Sequence, residues 1–517
     1  MSSNSSKNQS QTLILLIAIV SRLILLTLIL IWRSLLSPYD TSAPLNPNCL
    51  SSHQTLNSPP ISPSIGSSIE SSIVWDGVYF ARIAQCGYEY EQTFAFLPLL
   101  PVLMYLVAHT VLAPLVPVIG YRAVLGLSGY VISNVAFLFA AVYLYRLSVI
   151  VLKDRKASLL ATILFCFNPA SIFYSSVYSE SLYSLFSFGG LYYLLSSSST
   201  VAVLLLALSG SARSNGVLNA GYFCFQAMHQ AYDAILRKKH AWPQSISPNM
   251  CYLSDLCLLK LAVQVLITGV VRAMCIFVPF IAFQLYGYYN LCLGRSSDEI
   301  RPWCKARIPF LYDFIQSHYW GVGFLRYFEL KQLPNFLLAS PVLSLALCAI
   351  VHYAKLRPEL VFSLGFRASN KEKDAASVLY LLEPVQAANN AQSLEFFSSE
   401  VQQEDSVIRQ RKHRSKADSD SLRYSSDEQE TPSKQGYSSI LLLPCILHLG
   451  FMAATAFFVM HVQVATRFLS SSPPLYWFSS YLMHTRSGSK WGRLLWAYCA
   501  SYILIGSLLF SNFYPFT

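Results

Sequence analysis

Long apolar runs separated by polar segments extend along most of the chain. They lie near 12–36, 94–118, 123–152, 157–178, 181–197, 258–289, 334–354, 438–466 and 492–513. Because a transmembrane helix needs about 20 mainly apolar residues, the pattern predicts about eight to eleven spans. The expected fold class is therefore an all-α polytopic membrane protein.

The first apolar run carries Arg22 near its middle. It is too long for the core of a signal peptide, and no small-residue cleavage site follows it, so we expect a retained first helix. The glycosylation sequons at Asn4 and Asn8 precede this helix. We expect them to lie on the cytosolic side and to be chance matches.

A polar tract at 365–437 interrupts the apolar pattern. Its many charges and serines and its few large apolar residues predict a disordered insert. The tract separates a transmembrane core, 1–364, from C-terminal transmembrane helices, 438–517. It contains the DxD string Asp418-Ser419-Asp420, which we interpret as part of a solvated linker rather than as a site for a metal and a nucleotide sugar.

Composition supports the membrane assignment, since 54% of the residues are hydrophobic and 12% are charged. The net charge of +11 is spread over loops and the insert. Positive cytosolic loops explain it without a nucleic-acid partner. The basic loop at 153–156 should then be cytosolic, although simple alternation from a cytosolic N-terminus places it in the lumen. We follow the charge rule for this loop and infer a miscounted segment between 94 and 152.

The twelve cysteines form no CxxC pair, so the sequence indicates neither a zinc site nor a redox motif. Cys292 and Cys304 bracket a polar loop. They could form a disulfide if that loop faces an oxidising compartment, or they could remain two unpaired thiols.

The segment from Trp75 to Leu100 places Asp76 between two apolar runs, among aromatic side chains that include Tyr79. A carboxylate at a bilayer face is costly and is typical of a functional site. We therefore expect an active-site loop at 37–93, between the first two spans, and a second polar loop at 290–333. Asp76 is the candidate catalytic residue.

A polar break, ARSNG, separates the apolar runs 200–211 and 216–228. Each run gives about 18 Å of helix, which is too short to cross about 30 Å of hydrocarbon. Two half-helices would leave Arg213 within the membrane, where it could bind a phosphate. The alternative is an arginine in an ordinary loop between helices.

Other polar residues gather at the predicted span ends. Those assigned to substrate binding are Glu180, Arg301, Trp303, Gln463 and Arg467, together with Trp75, Tyr79 and Arg213. A structural salt bridge is the alternative for each charged residue, and a membrane-interface belt is the alternative for the aromatic ones. No phosphate-loop, dinucleotide, HExxH or GxSxG motif occurs. Chemistry on a lipid-borne substrate and transport remain as the two classes of function.

Several sequence blocks, taken in their order along the chain, resemble those of a known family. They are WDGVYFARIAQCGYEYEQTFAFLPLLP, FNPASIFYSSVYSESLYSLFSFGGLYYL, ARSNG, RPWC, PFLYDFIQSHYWGVGFLRYF, KQLPNFLLASPVL and HVQVATRFLSSSPPLYW. In this order the chain resembles the PIG-V family of glycosylphosphatidylinositol (GPI) mannosyltransferases. The resemblance implies a GT-C type transmembrane bundle in the endoplasmic reticulum, with a luminal active site. It also implies dolichyl-phosphate-mannose as donor and a GPI intermediate as acceptor, with the second mannose added in α-1,6 linkage.

The family's acidic residue in the first luminal loop corresponds to Asp76. With a phosphate-linked donor, we expect Asp76 to take a proton from the acceptor hydroxyl, and Arg213, Arg301 and Arg467 are the candidates for holding the phosphate. It implies no cofactor beyond the lipid donor and no assigned metal ligand, and it leaves a small membrane partner subunit open. The alternatives are a lipid-linked sugar transporter or flippase and a noncatalytic membrane scaffold.

Overall fold

A computed structural model describes residues 2–39, 48–50, 59–240, 248–293, 301–382, 436–484 and 488–514. Within these ranges the chain is helical and contains no strand. The expected fold class, an all-α polytopic membrane protein, is confirmed. The DxD string at Asp418 lies outside the described residues.

Twenty-one α-helices are distinguished here in chain order. They are α1 Ser2–Leu35, α2 Pro63–Ser71, α3 Asp76–Cys86, α4 Leu99–His109, α5 Val116–Ile119, α6 Tyr121–Leu152, α7 Arg155–Cys166, α8 Ser171–Ser175, α9 Glu180–Leu195, α10 Ser199–Ala212, α11 Ala220–His240, α12 Pro248–Cys292, α13 Leu311–Tyr319, α14 Leu333–Leu356, α15 Pro358–Phe362, α16 Asn370–Ala375, α17 Ser377–Tyr380, α18 Leu443–Phe458, α19 Ala465–Leu469, α20 Pro473–His484 and α21 Gly488–Ser511.

Six helices in the described part of the chain are long and apolar enough to cross a membrane. They are Gln9–Leu35, Tyr121–Leu152, Leu258–Cys292, Leu330–Leu356, Ile440–Phe458 and Lys490–Ser511. This number is smaller than the eight to eleven expected from the apolar runs, because several runs fold as shorter helices. For example, α7 has 12 residues and α9 has 16.

The run that begins near residue 94 is also not a straight span. Its two parts, Leu99–His109 and Ala113–Ile119, are bent by 69° relative to each other. The second part ends beside the loop that precedes Asp76, since the Ile61 amide donates to the Pro117 carbonyl at 3.1 Å. Phe96, just before the first part, stacks on Tyr79 near the start of the segment that carries Asp76, with ring centres 4.7 Å apart. The pair therefore starts and ends near the same side of the bundle, as a re-entrant segment does.

Contacts between helix ends define two faces. The site face contains the start of α3 and the ends of α1 and α21, where Arg33 Nη1 donates to the Ser511 carbonyl at 3.3 Å. The opposite face contains the end of α6 and the start of the first span, joined by Arg146 and Gln11 at 3.0 Å. With the re-entrant pair, the basic loop at 153–156 lies on the same face as the start of the first span. This arrangement removes the conflict between alternation and the charge rule.

Arg22 is buried within the first span, and it pairs with no carboxylate among the described residues. Its guanidinium donates to the Cys166 carbonyl at 2.9 Å and to the Ser171 carbonyl and the Ser175 hydroxyl at 3.0 Å each. The Cys166 carbonyl ends α7, where carbonyls lack helical partners and carry partial negative charge, and the two serines belong to α8. Arg22 thus fixes the turn that leads from α7 towards Glu180.

The polar insert begins later than the sequence predicts. Residues 365–382 contain the helices α16 and α17, and Leu379 and Tyr380 are buried. Gln226 and Gln230 of α11 donate to the Val378 carbonyl at 2.9 and 3.1 Å. A few apolar side chains in this otherwise polar stretch are enough to dock it on α11 at the opposite face.

Two disulfides lie at the site face. Cys292 and Cys304, for which the sequence leaves a disulfide and two unpaired thiols open, are joined by a disulfide. A second bond joins Cys49 to Cys86 at the end of α3. The sequence does not predict it, because the two cysteines are 37 residues apart.

Candidate active site

A cavity of about 380 Å³ opens at the site face. Its wall is formed by the start of α3, the segment after α10, the helix α13 and the segment that leads into α19. The polar and aromatic lining residues are Trp75, Asp76, Tyr79, Phe80, Phe96, Tyr178, Ser179, Arg213, Ser214, Asn215, Tyr312, Gln316, Trp320, His461, Gln463, Arg467 and Phe468. Six of the predicted site residues, namely Trp75, Asp76, Tyr79, Arg213, Gln463 and Arg467, are brought together here.

Asp76 is the first residue of α3. Its backbone amide donates to the Tyr178 hydroxyl at 3.1 Å. The preceding Trp75 has a backbone φ of 53°, which residues other than glycine rarely adopt. Its indole donates to the Phe510 carbonyl at 3.2 Å. The turn at Trp75 therefore directs the Asp76 carboxylate into the cavity at a helix N-terminus, where negative charge is favoured.

Four charged side chains form a row with alternating sign. Asp76 Oδ2 lies 2.8 Å from Arg467 Nη1, and Arg467 Nε lies 3.9 Å from Glu180 Oε1. Glu180 Oε1 also accepts from Arg213 Nη1. The Asp76 side chain is 33% exposed, and Glu180 is 1% exposed. Asp76 is thus the carboxylate that a substrate can reach, and Glu180 holds the two arginines from behind the cavity wall.

Three buried polar atoms around this row have no hydrogen-bond partner among the described residues. They are Glu180 Oε2, Arg467 Nε and Asn215 Nδ2. Buried polar atoms are usually satisfied, so each exception calls for an explanation. Both Asn215 and Arg467 line the cavity. Two residues of the cavity wall thus each carry a buried donor that no described residue uses.

The electrostatics of the site keep Arg467 charged. Burial lowers the pKa of its guanidinium, but the neighbouring Asp76 and Glu180 carboxylates more than offset this effect and raise the pKa above its ordinary value. Burial also raises the pKa of the Tyr178 phenol, and the charge of Asp76 adds to the shift. Tyr178 is therefore a neutral hydrogen-bonding group, and the cationic character of the cavity comes from its arginines.

The predicted break at ARSNG is present. The helix α10 ends at Ala212, Arg213 is extended, and Ser214–Asn219 form a 3-10 helix before α11. The second half is longer than expected, because α11 has 21 residues. Arg213 therefore lies at a helix end inside the bundle and lines the cavity, rather than in an ordinary surface loop.

Arg301 and Trp303, by contrast, do not line the cavity. Trp303 donates from its indole to Glu91 Oε1 at 2.7 Å, and Arg301 Nη2 lies 3.4 Å from Glu91 Oε2. Glu91, which sequence analysis did not identify, is 6% exposed and also accepts from the Tyr319 hydroxyl at 2.7 Å. These contacts join the 301–320 segment to the segment after α3, so the two predicted ligands have a structural role at this position.

The 301–320 segment instead contributes Tyr312 and Gln316 of α13 to the cavity wall, and sequence analysis did not assign these two residues to the site. They are four residues apart and so share one helix face. The Tyr312 and Ser214 hydroxyls are hydrogen-bonded at 2.7 Å. The spacing alone could have suggested the pair, but only the tertiary fold brings α13 next to the ARSNG break.

An apolar groove of about 590 Å³ adjoins the cavity. It lies between α4 and α12, and its lining includes Tyr88, Val102, Tyr105, Ala282 and Phe283. Tyr88 donates to the carbonyl of Phe96 at 2.7 Å, and Phe96 itself lines the cavity. At this position the groove and the cavity are therefore separated only by Tyr88 and Phe96, which contact each other.

Comparison with known proteins identifies the family. A protein "GPI alpha-1,6-mannosyltransferase 2" from Homo sapiens is 28% identical over 503 residues, which cover 86% of this chain and 87% of that protein. A "GPI mannosyltransferase 2" from Drosophila melanogaster is 29% identical and covers 86% of each chain. One from Aspergillus oryzae is 34% identical over 52% of this chain and 57% of its own length. No solved structure matches the chain. The family model for "Mannosyltransferase (PIG-V)" matches residues 10–517, and the chain therefore belongs to the PIG-V mannosyltransferase family.

Proposed function

We propose that this protein transfers mannose from dolichyl-phosphate-mannose to the mannosyl-glucosaminyl-phosphatidylinositol intermediate, with formation of the α-1,6-linked second mannose of the GPI anchor. The names of the human and insect relatives support the GPI pathway, and the human name supports the linkage. The observation that carries the mechanism is the cavity in which one accessible carboxylate, Asp76, lies beside Arg467.

Asp76 acts as the general base. It accepts the proton of the acceptor 6-hydroxyl while that oxygen attacks the anomeric carbon from the face opposite the phosphate. The β-linked donor then gives an α-linked product by inversion. A phosphate leaving group is stable as an anion and needs electrostatic support rather than an acid. A single accessible carboxylate is consistent with this requirement, since Glu180 is buried and paired.

Arg213 and Arg467 hold the phosphate. Both line the cavity, and guanidinium groups bind phosphate oxygens by charge-assisted hydrogen bonds. The unpaired Nδ2 of Asn215 adds a neutral donor on the same side. Trp75 and Tyr79 supply aromatic surface to the sugars, and Gln463 is held in the wall by the Tyr327 hydroxyl at 3.0 Å.

The donor's lipid tail lies in the apolar groove beside the cavity. The groove opens between α4 and α12, its lining is almost entirely apolar, and the Tyr88–Phe96 contact separates it from the charged row. An isoprenoid chain that leaves the phosphate needs an apolar path of this kind, because exposing it to water costs about 0.8 kcal/mol per CH₂ group.

The active site faces the lumen of the endoplasmic reticulum. Two disulfides at the site face support an oxidising compartment. The basic loop at 153–156 and the start of the first span lie at the opposite face, which agrees with a cytosolic location of positive charge.

The test is in vitro transfer from radiolabelled dolichyl-phosphate-mannose to synthetic mannosyl-glucosaminyl-phosphatidylinositol. Asp76→Asn keeps the size of the side chain but removes the base, and we expect at least about a 100-fold loss of transfer. Glu329→Gln, in an exposed ion pair with Lys331, is the matched control and should retain activity. Normal transfer by Asp76→Asn would exclude this base. Movement of a lipid-linked sugar across vesicles without transfer would favour the flippase alternative.

A further inference from the structure

We propose that the ion pair between Asp76 and Arg467 is an exchange pair: Arg467 leaves the carboxylate for the donor phosphate as Asp76 takes up the acceptor proton. This inference rests on the proposed function and assigns Arg467 a catalytic role beyond substrate binding. It explains why the only carboxylate that reaches the cavity from the charged row is already neutralised by an arginine, although a general base must be free to accept a proton.

The contacts of Arg467 suit an exchange. One terminal nitrogen, Nη1, contacts Asp76 at 2.8 Å, while Nε is buried, has no hydrogen-bond partner in the described part of the chain and lies 3.9 Å from Glu180. The guanidinium carbon lies 5.4 and 5.6 Å from the centres of the Phe173 and Tyr178 rings, whose faces stabilise a cation without fixing its hydrogen bonds. Arg467 is thus held in place as a charge but retains unused donor capacity.

Arg213 differs in this respect. Its partner Glu180 is 1% exposed and contacts it directly. Glu180 is also too deeply buried to take part in proton transfer with a substrate in the cavity. Arg213 therefore remains paired throughout the reaction, whereas Arg467 shares its charge with a carboxylate that titrates during the reaction.

The charges balance through the step. The acceptor oxygen forms a bond to the anomeric carbon, and the bond from that carbon to the phosphate oxygen breaks. The electron pair of the broken bond stays on the phosphate, which changes from a monoanionic diester to a dianionic monoester. The proton of the acceptor hydroxyl moves to Asp76, which becomes neutral. Arg467 loses its carboxylate partner at the moment when the phosphate gains one negative charge.

Binding of the product dolichyl phosphate tests the exchange without turnover. In the exchange model, Asp76→Asn imitates the protonated carboxyl and releases Arg467, so this variant should bind dolichyl phosphate about three to ten times more tightly than the wild type. Arg467→Gln should bind it more weakly. The double variant should bind no more tightly than Arg467→Gln, because the gain from Asp76→Asn depends on the freed arginine.

Arg301→Gln is the matched control, since Arg301 contacts Glu91 outside the cavity and should leave the affinity unchanged. Should Arg467→Gln fail to fold, Arg467→Lys retains the charge and should show a smaller gain when it is combined with Asp76→Asn. Unchanged or weaker binding by Asp76→Asn would overturn the exchange. A gain that persists in the double variant would also overturn it, since it would reflect general repulsion by the carboxylate. Failure of the wild type to transfer mannose would instead refute the proposed function.

Discussion

At the scale of single residues, the backbone of Trp75 has an unfavourable conformation that its surroundings maintain. A non-glycine residue with positive φ costs of the order of 1–3 kcal/mol and persists only where its surroundings compensate. Here the indole donates to Phe510 and lies 5.5 Å from the Phe513 ring. The C-terminal helix α21 thus stabilises the turn that orients Asp76.

Glu180 offers a direct test of the charged row. Glu180→Gln leaves Arg213 and Arg467 without the carboxylate that they share, and loss of one member of a buried ion pair typically costs about 3 kcal/mol or more. We therefore expect a lower thermal unfolding midpoint in detergent, together with reduced transfer. Glu329→Gln, whose pair with Lys331 is exposed, should leave the midpoint unchanged. Equal midpoints for the two variants would show that Glu180 does not support the row.

The sequence identifies site residues when the residue type itself is costly in a membrane. Asp76, Arg213 and Arg467 are conspicuous because charges are rare near apolar runs, and the fold brings all three to the cavity. The same criterion selects Arg301, which instead pairs with Glu91. No local signal separates the two cases, because the partner lies more than 200 residues away in the chain. Tyr312 and Gln316 are missed for the same reason.

At the scale of elements, hydropathy alone overestimates the number of spans. Helices such as α7 and α9 are apolar because they are buried in the bundle, although they are too short to cross the membrane. The ARSNG break is predicted correctly, since two short apolar runs on either side of an arginine can hardly form one continuous helix. The re-entrant pair of α4 and α5 is not predicted, because its bend follows no single residue type.

The groove between α4 and α12 gives a prediction at this scale. Ala282→Trp should narrow the groove and raise the apparent KM for dolichyl-phosphate-mannose several-fold, because a long isoprenoid chain must pass it. A donor with a short isoprenoid chain should be affected much less. Val270→Trp, on the same helix but outside the groove lining, is the control. An equal effect of Ala282→Trp on both donors would place the lipid tail elsewhere.

At the scale of the whole molecule, the faces of the bundle separate chemistry from positive charge. The start of the first span and the end of α6 both lie at the opposite face. They share this face because the re-entrant pair of α4 and α5 does not cross the membrane between them. Asp76, both disulfides and the end of α21 lie at the site face. Simple alternation of spans from the N-terminus places the 153–156 loop on the wrong face, because it counts the re-entrant pair as one span.

Glycosylation mapping tests this orientation with two matched substitutions. His53→Asn creates the acceptor sequence Asn-Gln-Thr in the loop before Asp76, and His413→Asn creates Asn-Arg-Ser in the polar insert. If the site face is luminal, the first variant should gain one endoglycosidase-sensitive glycan and the second none. The natural sequons at Asn4 and Asn8 precede the first span and should remain unmodified. A glycan on the insert variant, or on the natural N-terminal sequons, would place Asp76 in the cytosol. Asp76 could not then act on a luminal glycolipid.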